Sequence, residues 1–165
     1  MTTGAALFLT FLIVQRLSEL FIARRNTAAL MAAGAREVAP RHYPLIVALH
    51  TVWVACLVVF GHDAAVHLGW LAVFAVLQAF RVWVLASLGG RWTTRIIVTD
   101  TPLVARGPYR WISHPNYVLV VCEIAVAPMV LGLAWISLLF TMLNAAVLTI
   151  RIRAENAALQ PARAL

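Results

Sequence analysis

The chain has 165 residues, of which 63% are hydrophobic and only 12% charged, with a formal net charge of +7. Soluble domains are about half apolar, so this composition excludes an ordinary soluble enzyme and points to a membrane protein. The positive charge is carried entirely by arginine, with no basic stripe interleaved with exposed aromatics, so it argues for membrane topology and attraction to anionic lipid rather than for nucleic-acid binding.

A transmembrane helix takes about 20 mainly apolar residues, and five runs qualify as candidates: residues 4–23, 44–61, 66–88, 116–131 and 134–150. The first has no positive flank before it and is followed by Arg24 and Arg25, which predicts a retained span rather than a cleaved signal peptide. Residues 24–43 and 89–115 are the long linkers. In the second, Thr94-Arg95-Ile96-Ile97-Val98-Thr99 alternates before Asp100-Thr101-Pro102, which predicts a short hairpin or an amphipathic cap. The fourth run is short, Pro128 is placed to stop or kink it, and Gly132 is placed to turn a tight helical hairpin into the fifth. Cys56 and Cys122 sit in apolar segments without metal-ligand spacing and read as buried thiols, so no metal site is expected.

Apart from Arg16 and Arg81, the arginines fall in three places: residues 24–41, 91–110 and 151–163. Cytoplasmic loops carry excess positive charge, and five spans put all three clusters on one side. The expected fold is therefore an all-α integral membrane protein with a single domain over residues 1–165. It has five transmembrane helices, the last two in a tight hairpin, a cytoplasmic loop cap, an outer amino terminus and a cytoplasmic carboxyl terminus.

Ionisable groups inside a span are costly and usually face the bundle interior. Gln15, Arg16 and Glu19 lie within one turn of each other, as an internal ion pair would require. Gln78 and Arg81 share a face at i and i+3, and Arg81 is near enough to the helix end to snorkel. Glu123 is seven residues past Asn116, about 10 Å deeper on the same stripe, and needs a partner, for which Arg81 is the candidate. Asn144, Arg151 and Glu155 return to nearly one angle, and an i, i+4 salt bridge between Arg151 and Glu155 is the simplest expectation.

The most unusual local chemistry is the run Gly107-Pro108-Tyr109-Arg110-Trp111-Ile112-Ser113-His114-Pro115-Asn116-Tyr117. Ser113 or His114 is placed to cap the following helix, Pro115 suits its first turn, and His114 and Tyr117 then share a face. An interfacial His and Tyr commonly serve as membrane anchors. Here they join Asn116, Gly107 and Arg110 within eleven residues, which favours a site of chemistry.

Gly107-Pro108-Tyr109-Arg110, then Ser113-His114-Pro115-Asn116-Tyr117, then Arg151-Ile152-Arg153-Ala154-Glu155, preceded by Arg81-Val82-Trp83, Leu88-Gly89 and Trp92-Thr93, resemble the carboxy-terminal half of isoprenylcysteine carboxyl methyltransferases and their bacterial relatives. The resemblance covers residues 78–159. It implies a membrane enzyme that binds S-adenosylmethionine, with Tyr109, His114, Pro115, Asn116, Tyr117, Arg151 and Glu155 as cofactor-binding residues and His114, Arg151 and Glu155 as catalytic ones. Ser113 stands where the family usually has Arg, and Asn156 where a second Glu is common. Loss of that guanidinium argues against a prenylcysteine carboxylate, for which it is the natural clamp. The segment from Arg36 to Pro44 also looks like the first loop of bacterial relatives that O-methylate alkylresorcinol or alkylpyrone lipids. The resemblance thus implies a bacterial inner-membrane enzyme acting on the hydroxyl or carboxylate of a lipophilic acceptor.

The residue types suit that chemistry. A sulfonium amino acid calls for a carboxylate such as Glu155, a cation such as Arg151 and donors such as His114 and Tyr117. The acceptor is expected against His42, Tyr43, His50, Arg81 and Glu123, and a hydroxyl acceptor leaves His114, His42 and His50 as alternative bases. Two other classes fit the same residues less fully: an NADPH-dependent sterol-type reductase, for which the chain is short, and a non-enzymatic membrane scaffold.

Overall fold

A computed structural model describes residues 2–38, 40, 43–102 and 104–163, with residues 158–163 described by backbone alone. Its helices are α1 (Thr3–Ala32), α2 (Tyr43–Gly61), α3 (Leu68–Leu88), α4 (Pro115–Val130) and α5 (Ala134–Arg163). All but α4 are long and apolar enough to cross a membrane. At 16 residues and 1.5 Å per residue, α4 is about 24 Å long, short of the ~30 Å hydrocarbon core. Proline opens it but does not end it, since α4 runs past Pro128 to Val130. Pro115 occupies its first turn, and the carbonyl of Pro128 accepts from the amides of Leu131 and Leu133 as the chain turns toward α5. Gly132 makes that turn at φ 70°, and a side chain there would crowd His67. Past the turn, Ser137 Oγ donates to the Ala125 carbonyl at 2.6 Å and ties α5 back onto α4.

The first linker is shorter than expected, because α1 runs on through Arg24 and Arg25 to Ala32. Arginine ends an apolar run without ending a helix, since its helix propensity is high. Asn26 on this extension is buried, and its Nδ2 donates to the carbonyls of Gly89 and Trp92, which clamps α1 to the turn after α3.

The alternating run around Ile96 does not fold on itself. β2 (Ile96–Val98) pairs antiparallel with β1 (Arg36–Val38) from the first linker, with Glu37 opposite Ile97. Arg95 bonds both oxygens of Glu37 at 2.8 and 2.9 Å, and its guanidinium lies 4.5 Å from the centre of the Tyr43 ring. The two long linkers therefore form one small cap. Arg36 and Arg95 lie in or beside this strand pair, and α5, which carries Arg151 and Arg153, also touches the cap. At the other end Thr2 bonds His62 and Ala64, and the amide of His67 donates to the Val130 carbonyl.

The core lies toward this second end, where Phe8, Leu12, Trp53, Leu57, Phe74, Ile124, Ala127 and Ile136 pack together, with Phe8 and Phe74 edge to face at 5.2 Å. Large apolar side chains such as Leu7, Phe21, Val76 and Leu138 point outward, as a hydrocarbon solvent permits. Cys56 and Cys122 are free and half-buried rather than fully buried.

Candidate active site

Two polar clusters lie along the bundle. The deeper one is built by α1, α3 and α4 around Glu123, which has no exposed surface. Its Oε1 accepts from Arg81 Nε at 2.7 Å and Gln78 Nε2 at 3.0 Å, and its Oε2 from Arg16 Nη2 at 2.7 Å and from Arg81 Nη2. Arg81 Nη1 and Arg16 Nη1 also reach Glu19 Oε2, at 2.9 and 3.2 Å, and Gln15 donates to Glu19 Oε1 at 2.9 Å. Two guanidiniums and two carboxylates thus cancel in charge. The expected Glu123–Arg81 pair is present, joined by Arg16. Arg81 is buried and turned inward rather than snorkelling, because both acids lie within its reach.

The second cluster forms where α4 begins and α5 leaves the apolar region. The 3-10 turn Gly107–Arg110 precedes it, with Gly107 at φ 58° so close to Ser87 and Trp83 of α3 that a side chain would clash. His114 holds the cap position of α4, but neither it nor the exposed Ser113 caps the helix through its side chain. Instead the His114 ring stacks on Tyr117, centroids 5.2 Å apart and planes inclined at 19°. Its Nε2 lies 3.2 Å from Asn156 Oδ1 and its Nδ1 3.9 Å from Glu155 Oε1. The Tyr117 hydroxyl donates to Glu155 Oε2 and accepts from Arg151 Nε at 2.8 Å. Arg151 Nη2 bonds the Thr94 carbonyl at 2.7 Å. Arg151 and Glu155 are therefore joined through a phenol from α4 rather than by the expected i, i+4 bridge. Beside them, burial and then the negative charge of Glu155 raise the Tyr109 phenol above its ordinary range, so it stays a neutral donor.

A cavity of about 350 Å³ separates the clusters. Arg16, Glu19 and Arg81 form its polar floor, while Asn116, Tyr117, Asn144 and Arg151 line it beside the second cluster. Tyr43, His50 and Thr94 are also on its wall, among mostly apolar neighbours such as Ile13, Leu17, Val54 and Val120. Four buried polar atoms of wall residues have no partner among the described residues: Asn116 Oδ1, Asn144 Nδ2, Trp92 Nε1 and Arg16 Nε. Buried polar atoms are normally paired, so such a group marks where a ligand or water completes the set.

The structure brings His114, Tyr117, Arg151 and Glu155 into one chain of contacts. It divides them, however. Asn116, Tyr117 and Arg151 line the cavity, whereas Tyr109, His114, Pro115 and Glu155 do not. Of the expected acceptor residues, Tyr43, His50 and Arg81 line the cavity, Glu123 lies beneath its floor, and His42 is outside the described residues. Arg16 and Glu19, read from sequence only as an ion pair, prove to be cavity walls. Thr94 carried no signal, because its backbone carbonyl makes the contact.

Residues 70–161 match the isoprenylcysteine carboxyl methyltransferase (ICMT) family. The chain is also 39% identical over 160 residues to the uncharacterized protein YpbQ of Bacillus subtilis (strain 168), an alignment covering 93% of this chain and 95% of that protein. No solved structure matches. With a family match across more than half its length, covering all of α4 and most of α3 and α5, the chain belongs to the isoprenylcysteine carboxyl methyltransferase family of membrane methyltransferases.

Proposed function

We propose that the protein transfers a methyl group from S-adenosylmethionine to an oxygen of a lipophilic acceptor at the cytoplasmic face of a bacterial inner membrane. The observation that carries this reading is the Tyr117 hydroxyl held between Arg151 and Glu155 beside a cavity whose Asn116 and Asn144 side chains have unused hydrogen-bonding atoms. That donor set fits the cofactor. Arg151 would hold its carboxylate, Glu155 its ammonium, and Asn116 and Asn144 its remaining polar groups. When bound, S-adenosylmethionine supplies an electrophilic methyl on a sulfonium.

The protein's part is to place and to dry. His114 stacked on Tyr117 keeps that phenol between its acid and its cation, and the apolar walls exclude water from the acceptor oxygen. A polar donor arrives through the cap formed by the two arginine-bearing linkers, and a greasy acceptor enters between helices from the lipid. In this reading α4 makes the fifth pass, paired with α5 in a tight hairpin and accommodated by local bilayer thinning. The amino terminus is then outside and the carboxyl terminus cytoplasmic.

Titration of detergent-purified protein with methyl-labelled S-adenosylmethionine tests the reading. Saturable binding, followed by appearance of label in an added lipid extract, is the expected result. Absence of saturable binding, or saturable binding of NADPH in its place, overturns it.

A further inference from the structure

We propose that His50 is the base of the reaction and that the oxygen it serves is a hydroxyl rather than a carboxylate. The proposal rests on the methyl-transfer reading above. His50 Nδ1 lies 2.9 Å from the carbonyl of Ile46, which can only accept, so Nδ1 carries the hydrogen and Nε2 keeps its lone pair. Nε2 has no hydrogen-bond partner among the described residues, and the His50 side chain is on the wall of the same cavity as Asn116, Tyr117 and Arg151. The ring is held against buried Trp53, edge to face at 6.4 Å.

Arg16 rests on the same indole, its guanidinium 5.8 Å from the ring centre. Both of its terminal nitrogens are taken by Glu19 and Glu123, but its buried Nε has no described partner. One wall of the cavity therefore carries a proton acceptor and, across Trp53, a cationic N–H. His114 does not offer this combination, because its Nε2 is engaged by Asn156 and it does not line the cavity.

This arrangement selects its substrate. A neutral Nε2 lone pair is complementary to an O–H group and repels a carboxylate oxygen, which has no proton at neutral pH and needs no base. As the acceptor oxygen forms the new O–CH3 bond, its proton passes to Nε2. The electron pair of the S–CH3 bond returns to sulfur, leaving a neutral thioether. Nε2 then releases the proton to water, and Arg16 Nε stabilises the negative charge that develops on the oxygen meanwhile.

The test compares two probes with the same long alkyl chain, a phenol and a nitrophenol, at a pH where only the nitrophenol is ionised. His50→Gln is expected to lower methylation of the phenol by about 100-fold or more, the usual scale of general-base catalysis. Methylation of the ionised nitrophenol falls less than about 5-fold, and binding of the methyl donor, read without turnover, changes less than about 3-fold. Equal losses on both probes, or no loss on the phenol, overturn the assignment while leaving the methyl-transfer reading intact. If the Gln variant binds no donor, His50→Ala decides: added imidazole restores methylation of the phenol, or the assignment falls. Failure of the wild-type protein to bind the donor removes the reading itself, and this assignment with it.

Discussion

The two polar clusters use the same residue types to opposite ends. Around Glu123, two carboxylates meet two guanidiniums and two carboxamides from three helices, and the acid is completely enclosed. Around Tyr117, one acid and one cation share a single phenol, and the side chains of His114 and Glu155 retain 19% and 23% exposure. A charge that is buried and fully paired is costly to disturb. A charge that is partly exposed, beside unfilled hydrogen-bonding atoms, can exchange its partner for a ligand. The first cluster is read as a lock that also floors the cavity, the second as a grip.

Three substitutions would break or sharpen that contrast. Glu123→Leu leaves the buried Arg81 guanidinium and the half-buried Arg16 guanidinium without their shared partner, at a cost of about 3–5 kcal/mol. The protein should lose most of its folded yield and thermal stability in detergent, and a mild effect would show that the deep cluster is not a lock. Glu155→Gln removes a charge-assisted contact worth about 1.5–3 kcal/mol. Affinity for S-adenosylmethionine in equilibrium titration should fall by about 10- to 150-fold with little change in melting temperature. A drop in stability with unchanged affinity would make the second cluster structural as well. Glu37→Gln in the cap breaks only the partly exposed pair with Arg95, worth at most about 1 kcal/mol. A small shift in melting temperature and near-normal donor binding would show that the cap covers the site without holding the ligand.

Much of the architecture was visible one segment at a time. A membrane helix satisfies its backbone hydrogen bonds internally, so its existence and approximate bounds follow from local composition. Pro115 and Gly132 likewise act where they stand, one opening α4 and the other closing the turn beyond it. The errors came where local rules compete with contacts from elsewhere. Arg24 and Arg25 close the apolar run yet lie inside α1, because the end of an apolar run and the end of a helix are separate events. The alternation around Ile96 was real, but its partner strand belongs to the other linker.

The site shows the same division. His114, Tyr117, Arg151 and Glu155 were recognisable by type and spacing, yet the expected Arg151–Glu155 bridge yields to a hydroxyl from another helix. Tyr117 lies 34 residues from Arg151 and 38 from Glu155 in the chain. No periodicity within α5 contains that hydroxyl.

From its residues alone, then, the chain determined that it is helical and suited to a membrane, and which of its side chains are polar or ionisable enough to build a site. These are properties of single segments and of residue chemistry. Packing decided which buried charges cancel, that Arg16 joins Arg81 on an acid 107 residues away, that His50 rather than His114 lines the cavity, and which polar atoms remain without a partner. Such outcomes depend on which helix faces come together, because a buried charge or lone pair must find its partner through space.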